Sequence, residues 1–305
     1  MDAVATVLDR EFPDRTVAES APAARGNRKE TRLVRFADGG GVVVQLSERP
    51  DALSVEAALA RAVRERTPVP VPAVLATGRV DALGYVVAER AAGDDLHERF
   101  VSLPDDERAA VARAFGRWLA ACHDAFAFGG YGPLELADGD LVATAPDWSA
   151  WFRGYLDAGV DALPEAFDDL RGPIRSLAAD AALPDAPPAR LFPWDLRPGN
   201  ALYDDGVTAV LDWGEPLAAG PALSVAKTEH LVCDWYGDDR ERLRTVFRSG
   251  YETVRPWPDP APVHRVAAVV RSAVDSTGTV TRPDYPEREG EAALAFHRER
   301  LRALL

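Results

Sequence analysis

Two of the 305 residues are lysine, two are cysteine and one is methionine. Cys122 and Cys233 stand in apolar surroundings without metal-ligand spacing, which argues against a zinc site and for packed thiols rather than a disulfide. No stretch approaches the roughly 18 uninterrupted apolar residues of a membrane span. Met1 to Arg10 carries Asp2 and Asp9 where a secretory signal needs positive charge, so the expectation is a cytoplasmic protein that meets no membrane. Positive charge is scarce as well. Lys29 and Lys227 are the two lysines, arginine supplies the rest, and the formal net charge is -14. Such a surface repels a phosphate backbone, and no basic stripe with interleaved aromatics offsets it, so nucleic acid is excluded as a partner. The acidity reads as an adaptation to high salt, with attraction of a cationic substrate as the alternative. Internal repeats and low-complexity tracts are absent too. What is present is a hydrophobic content of 47%, enough to build one large domain or two smaller lobes.

The first 90 residues are strand-rich. Thr31 to Phe36 alternates, Gly39-Gly40-Gly41 forms a turn, and Val42 to Leu46 resumes, which predicts a β-hairpin. Ser54 is placed to cap a helix running to about Arg66, ended by the prolines of Thr67-Pro68-Val69-Pro70-Val71-Pro72. Val74 to Ala76 and Gly84 to Glu89 read as two more strands. Beyond Ala91-Ala92-Gly93-Asp94 the pattern changes to long amphipathic helices. The first opens near Ser102-Leu103-Pro104-Asp105 and keeps Val111, Phe115, Trp118 and Cys122 on one face. Others fit Trp148 to Leu156, Ser224 to Trp235, Arg240 to Val254, Val263 to Val274 and Glu291 to Leu304, with Ala178 to Pro188 as a surface loop.

One short β-rich island, Arg190 to Trp213, interrupts the helices and carries the chemistry. Apolar runs flank Asp204-Asp205-Gly206, so the island is a hairpin whose turn takes positive φ at the Asp-Gly pair. Asn200 precedes its first strand and Asp212 follows its second, which brings both oxygen-bearing side chains to the same open end. Hard oxygen ligands in this small number suit Mg2+ that also binds nucleotide phosphates. Asp195 lies five residues before Asn200, the offset between catalytic aspartate and metal-binding asparagine in phosphoryl-transfer sites. It is the candidate base for an attacking hydroxyl, and Arg197 is a candidate for holding the γ-phosphate. The histidines, His97, His123, His230, His264 and His297, show no metal or triad spacing.

With Asp195, Asn200, Asp212-Trp213-Gly214 and Pro68 to Pro72 in hand, the chain resembles the aminoglycoside phosphotransferase and choline kinase-like family over nearly its whole length. That resemblance implies an α+β, bilobal protein-kinase-like fold. A small antiparallel-sheet N-lobe with one helix (1–90) would bind nucleotide. A larger, mainly helical C-lobe (91–305) would carry the catalytic loop and acceptor pocket. It implies ATP and Mg2+ as cofactors and a small-molecule hydroxyl acceptor, such as an amino sugar, a sugar or an amino alcohol. It also implies that Gly26-Asn27 begins a nucleotide-covering loop, that Glu89, Arg90 and Ala91 form the adenine-contacting hinge, and that Asp234, Trp235 and Asp238 lie where relatives bind acceptor. The protein would act as a monomer or homodimer.

Three positions depart from the family pattern. Gln45 replaces the third-strand lysine that grips the α- and β-phosphates, Pro193 replaces a histidine two residues before the base, and Ser224 replaces a loop-steadying aspartate. Glu56 shares a helical face with Leu59, Ala60 and Val63, where a carboxylate needs a cation unless it reaches solvent. Lys29, Arg28 and Arg35 are the candidates for that cation. The departures leave a catalytically impaired pseudokinase, acting as sensor or scaffold, as the alternative to an active enzyme.

Overall fold

The protein is described by a computed structural model that covers residues 2–23, 29–236, 239–275, 278–281 and 290–305. Its N-terminal part contains α1 (Ala3–Glu11), β1 (Val17–Pro22), β2 (Glu30–Phe36), β3 (Gly41–Ser47), α2 (Pro50–Arg66), β4 (Val74–Val80) and β5 (Leu83–Glu89). The five strands form one antiparallel sheet in the order β1-β2-β3-β5-β4. Alternation decides the faces. Val42, Val44 and Leu46 of β3 join Val34 and Phe36 of β2 in a core closed by Val4, Val7 and Leu8 of α1. The intervening Val43 and Gln45 face the other way. Asp2 caps α1 by accepting from the Val4 amide at 3.0 Å.

Two local expectations need correction. Helix α1 and strand β1 add to the single helix and four strands legible in the sequence. Helix α2 starts at Pro50, which suits the first helical position, and Ser54 lies inside it with its hydroxyl on the Pro50 carbonyl. The helix ends before the proline run as expected, and Val69 and Val71 enter the main core. The glycine triplet is indeed a turn, with φ of +93° at Gly39 and +73° at Gly40.

The C-terminal part is mainly helical: α3 (Leu96–Arg99), α4 (Asp105–Ala125), α5 (Trp148–Ala162), α6 (Asp168–Asp180), α7 (Pro221–Glu229), α8 (Arg240–Glu252), α9 (Pro262–Val270) and α10 (Glu291–Arg302). Short strands β6 (Asp94–Asp95), β7 (Gly132–Pro133), β8 (Glu135–Ala137), β9 (Asp140–Val142), β10 (Arg190–Phe192), β11 (Ala201–Tyr203), β12 (Val207–Val210) and β13 (Leu217–Ala219) lie between them. Helices α4 and α8 touch backbone to backbone. A Cβ on Gly116 would lie 2.0 Å from the Phe247 carbonyl oxygen, so only glycine permits the approach. Helix α7 passes directly into a wider, π-type turn over His230–Asp234, which ends the regular helix earlier than the periodicity suggests. Both cysteines are buried and free. No helix among the described residues is long and apolar enough to cross a membrane.

Candidate active site

The site grows out of the β11–β12 hairpin. Asp205 and Gly206 adopt φ of +51° and +146°, and the Asp204 amide closes the turn on the Gly206 carbonyl at 2.9 Å. The register pairs Ala201 with Val210, and one step beyond it the Leu211 amide donates to the Asn200 carbonyl at 2.7 Å. That bond fixes Asp212 beside Asn200. Asp212 itself has φ of +56°, a left-handed conformation that non-glycine residues adopt at a cost of about 1–3 kcal/mol and that concentrates at functional sites.

Asp195 sits on the loop between β10 and the helical turn Pro198–Asn200. The Asn200 side-chain amide donates to the Asp195 backbone carbonyl at 2.9 Å and to its Oδ2 at 3.0 Å, while Arg197 Nε lies 3.0 Å from Oδ1. Burial would raise the Asp195 pKa, but the charges of Arg197 and Lys227 and the hydrogen bond from Asn200 outweigh it and hold the carboxyl below the usual range. The carboxylate is therefore ionised at neutral pH. Asn200, having spent its N–H groups on Asp195, keeps its amide oxygen for another partner.

Across the hairpin mouth lies the cation that Glu56 requires. Lys29 Nζ is 2.6 and 2.8 Å from the two Glu56 oxygens and 3.2 Å from Asp212 Oδ1. The Lys29 and Glu56 side chains are 17% and 14% exposed, whereas that of Asp212 is 52% exposed, so the pair is enclosed and Asp212 faces the opening. Burial alone would lower Lys29, but the charges of Glu56 and Asp212 raise it above the ordinary lysine value. Burial raises Glu56, opposed by Lys29 and reinforced by Asp212. Strand register explains the substitution. Thr31 pairs with Gln45, and Lys29 lies two residues before Thr31, so it shares the face that Gln45 occupies. Arg35 instead pairs with Glu19 on β1, 3.1 Å away at the surface. Arg28 and the expected nucleotide-covering residues Gly26 and Asn27 lie outside the described residues. Gly214 completes the enclosure, since a Cβ there would approach Glu56 Oε2 to 3.2 Å and Asp212 Oδ1 to 3.3 Å.

At the end of β5, the Glu89 amide donates to the Ala73 carbonyl at 2.8 Å and its carboxylate accepts from the Ala73 amide at 3.3 Å. This anchors the strand from which Arg90 and Ala91 lead into the C-terminal part.

Helix α7, whose Lys227 packs against the loop carrying Asp195, holds residues the sequence gives little reason to choose. Ser224 is fully buried and within 2.6 Å of His123 Nε2, and His123 Nδ1 is 2.8 Å from the Tyr251 hydroxyl. One turn along α7, Lys227 is 3% exposed, donates to the Arg271 carbonyl at 3.0 Å and lies 3.6 Å above the Trp194 ring. The sequence signal for it is rarity, since Lys227 is one of two lysines in the chain. Burial lowers the Lys227 pKa from 10.5 to about 7, against the pull of Asp195. The sign follows from linkage. The unfolded chain binds the proton more tightly, so the destabilisation is fully present below about pH 7 and is relieved as pH rises from there toward 10.5. Lys227→Met is accordingly expected to melt higher relative to wild type at acid pH than at alkaline pH. Parallel melting curves across that range test this, and a constant gap between the two proteins would refute it.

Two of the expected acceptor residues are corrected by the packing. Asp234 is 3% exposed, and its Oδ2 receives Arg244 and Arg300, each at 2.8 Å, and lies 3.1 Å from His230 Nδ1. Trp235 is 2% exposed, against Phe296 and His297. These side chains tie α8 and α10 to the π-type turn and are closed to a ligand. Asp238 lies outside the described residues.

Among the described residues no group of three His, Cys, Asp or Glu side chains converges as an all-protein metal cage. Magnesium does not need one, because it takes one or two protein oxygens together with phosphate oxygens and water. The free amide oxygen of Asn200 and the exposed carboxylate of Asp212 fit that requirement.

A family model described as a phosphotransferase enzyme family matches residues 20–262. No curated protein matches the chain. Among solved structures, the aminoglycoside phosphotransferase APH(4)-Ia is 19% identical with a TM-score of 0.66, covering 99% of this chain and 97% of that one. A thermostable mutant of that enzyme, in a ternary complex with AMP-PNP and hygromycin B, matches over 100% of this chain and 98% of its own, at 19% identity and a TM-score of 0.66. A protein from Thermobifida fusca assigned as a fructosamine-3-kinase is 20% identical with a TM-score of 0.60, covering 99% of both chains.

Proposed function

This chain belongs to the phosphotransferase enzyme family, and from that premise we propose that it moves the γ-phosphoryl group of ATP to a hydroxyl of a small molecule, with Asp195 as base. The observation that carries the reading is a connected series of contacts. Asp195 bonds Asn200, Asn200 bonds the residue preceding Asp212, and Asp212 shares Lys29 with Glu56. Residues 1–90 would bind the nucleotide and 91–305 would supply the catalytic loop and acceptor pocket. Lys29 would hold the α- and β-phosphates, oriented by Glu56, while the backbone of Glu89 to Ala91 meets the adenine.

In the reaction the acceptor oxygen attacks the γ-phosphorus, the bond to the β-phosphate oxygen breaks to release ADP, and the hydroxyl proton passes to Asp195. A carboxylate with a lowered pKa suffices, because in a loose transition state alignment and charge stabilisation carry most of the acceleration. Bound through Asn200 and Asp212, a magnesium ion would neutralise charge on the terminal phosphates. Arg197, held against Asp195, would orient the γ-phosphate.

The pseudokinase reading drew its force from Gln45, Pro193 and Ser224. Lys29 supplies the charge that Gln45 lacks, Pro193 is buried, and Ser224 has His123 as a partner. The direct test is a melting curve with ATP, with magnesium, and with both. Nucleotide at 100 times its dissociation constant should add about 2.7 kcal/mol of stability. A magnesium-dependent upward shift is expected, and its absence at millimolar ATP would count decisively against nucleotide use.

A further inference from the structure

Arg271 stands out in a chain this acidic. It follows α9, is partly buried, and among the described residues no carboxylate lies within ion-pair distance of it. Its guanidinium carbon lies 4.7 Å from the Tyr155 ring centroid and 5.0 Å from that of Trp194, the residue immediately before the base. Its Nε is buried and makes no hydrogen bond. Gly159 makes room for the arm, since a Cβ there would meet Arg271 Cδ at 2.5 Å. Lys227 fixes the backbone by bonding the Arg271 carbonyl. A guanidinium stacked on aromatic faces has its planar edge left for bidentate recognition of an oxyanion.

The surroundings sharpen this. Trp194 meets Tyr155 edge-on at 5.9 Å, and Tyr155 stacks on Trp151 at 5.2 Å, which makes an aromatic wall on α5 beside the catalytic loop. All of these contacts come from C-terminal elements, away from the Lys29, Glu56 and Asp212 cluster. Three basic groups, Arg197, Lys227 and Arg271, gather around Asp195 and Trp194, and among the described residues only Arg197 of the three makes an ion pair with a carboxylate. Asp212 also acts on Arg197, and Glu215, which acts on Lys227, is exposed and lies 3.6 Å from Arg49.

We propose that Arg271, with the Trp194–Tyr155 wall, forms an acceptor subsite for an oxyanion, so that the preferred acceptor is a hydroxyl compound bearing a carboxylate or phosphate rather than an amino group. The proposal rests on the phosphotransferase reading and narrows its substrate class. It places the local positive charge against the ligand's anion, with the Trp194 and Tyr155 rings packing against its carbon skeleton. Arg271 binds the acceptor and takes no part in proton transfer.

The test uses the whole protein loaded with MgADP and four probes that share a three-carbon diol: glycerate, glycerol phosphate, glycerol and aminopropanediol. Calorimetric titration should show one of the two anions binding roughly tenfold to a hundredfold tighter than the neutral and ammonium probes, the scale of a charge-assisted hydrogen-bond pair. Which anion binds tighter separates carboxylate from phosphate. Arg271→Ala should erase the preference and Arg271→Lys should keep part of it, with MgADP affinity and melting temperature close to wild type in both. Tighter binding of aminopropanediol, no measurable binding of either anion, or an anion preference that survives Arg271→Ala each overturns the proposal. Failure of the phosphotransferase reading shows separately, as loss of the magnesium-dependent nucleotide shift in the wild-type protein.

Discussion

Asp195→Asn should lower turnover by roughly a hundredfold to ten-thousandfold, the usual contribution of a positioned general base, while the protein stays folded and still binds MgATP. The substitution preserves volume, and an asparagine side chain can still accept from Asn200 through its amide oxygen. What it removes is the proton acceptor and the negative charge that neutralises Arg197 and faces Lys227. Some stability should be lost, because Arg197 is left half-buried without its anion. The two effects separate in a paired measurement, with steady-state ADP release for the chemistry and the MgATP-induced melting shift for binding. A variant with near-wild-type turnover would remove Asp195 from the proposed role. A variant that loses nucleotide binding would show that the residue holds the loop together rather than accepting a proton.

Lys29→Met should weaken catalysis with ATP by roughly tenfold to a hundredfold in kcat/KM, the value of a charge-assisted contact of about 1.5–3 kcal/mol. The same change leaves Glu56 and Asp212 as neighbouring carboxylates with no shared cation, so Glu56 should take up a proton more readily still, adding to a pKa that burial already raises. Glu56→Gln should be milder, since Lys29 keeps Asp212 and its path to the phosphates. The most informative variant combines Lys29→Met with Gln45→Lys. Residue 45 is across the ladder from Thr31 and on the same face of the sheet as Lys29, within the diagonal distance that long side chains bridge. A lysine there should reach Glu56 and recover part of the lost kcat/KM. Unchanged kcat/KM and ATP affinity in Lys29→Met alone would sink the phosphate role of Lys29. A loss that Gln45→Lys fails to repair would show that the two positions are not interchangeable.

On the proposed reading, a site can do without a lysine on its third strand. What must be preserved is a cation beside Glu56 and Asp212, and the backbone register allows it to come from the neighbouring strand. The acidic composition bears on the same point. In a chain with 49 acidic residues and two lysines, both lysines stand within the proposed site. Arginine serves elsewhere, both at surface pairs such as Arg35–Glu19 and Arg15–Asp38 and at the buried Asp234.

Local patterns were sufficient where geometry depends on residues close in the chain. The offset of Asp195 from Asn200, the Asp-Gly turn and the apolar runs around it determined a hairpin that could place Asn200 and Asp212 together only one way, because strand pairing has a fixed period and sense. Alternation and proline punctuation likewise settled β2, β3 and the end of α2. Helix α1 and strand β1 escaped because their short segments become buried or paired only through the sheet they join. Asp234 and Trp235 looked available because a sequence does not say that Arg244 and Arg300, 10 and 66 residues away, close over the carboxylate. That Lys29 answers Glu56, that Ser224 meets His123, and that Arg271 lies beside Trp194 were decided by tertiary structure alone. Each depends on contacts between distant segments, and long-range packing, unlike periodicity, leaves no local signature.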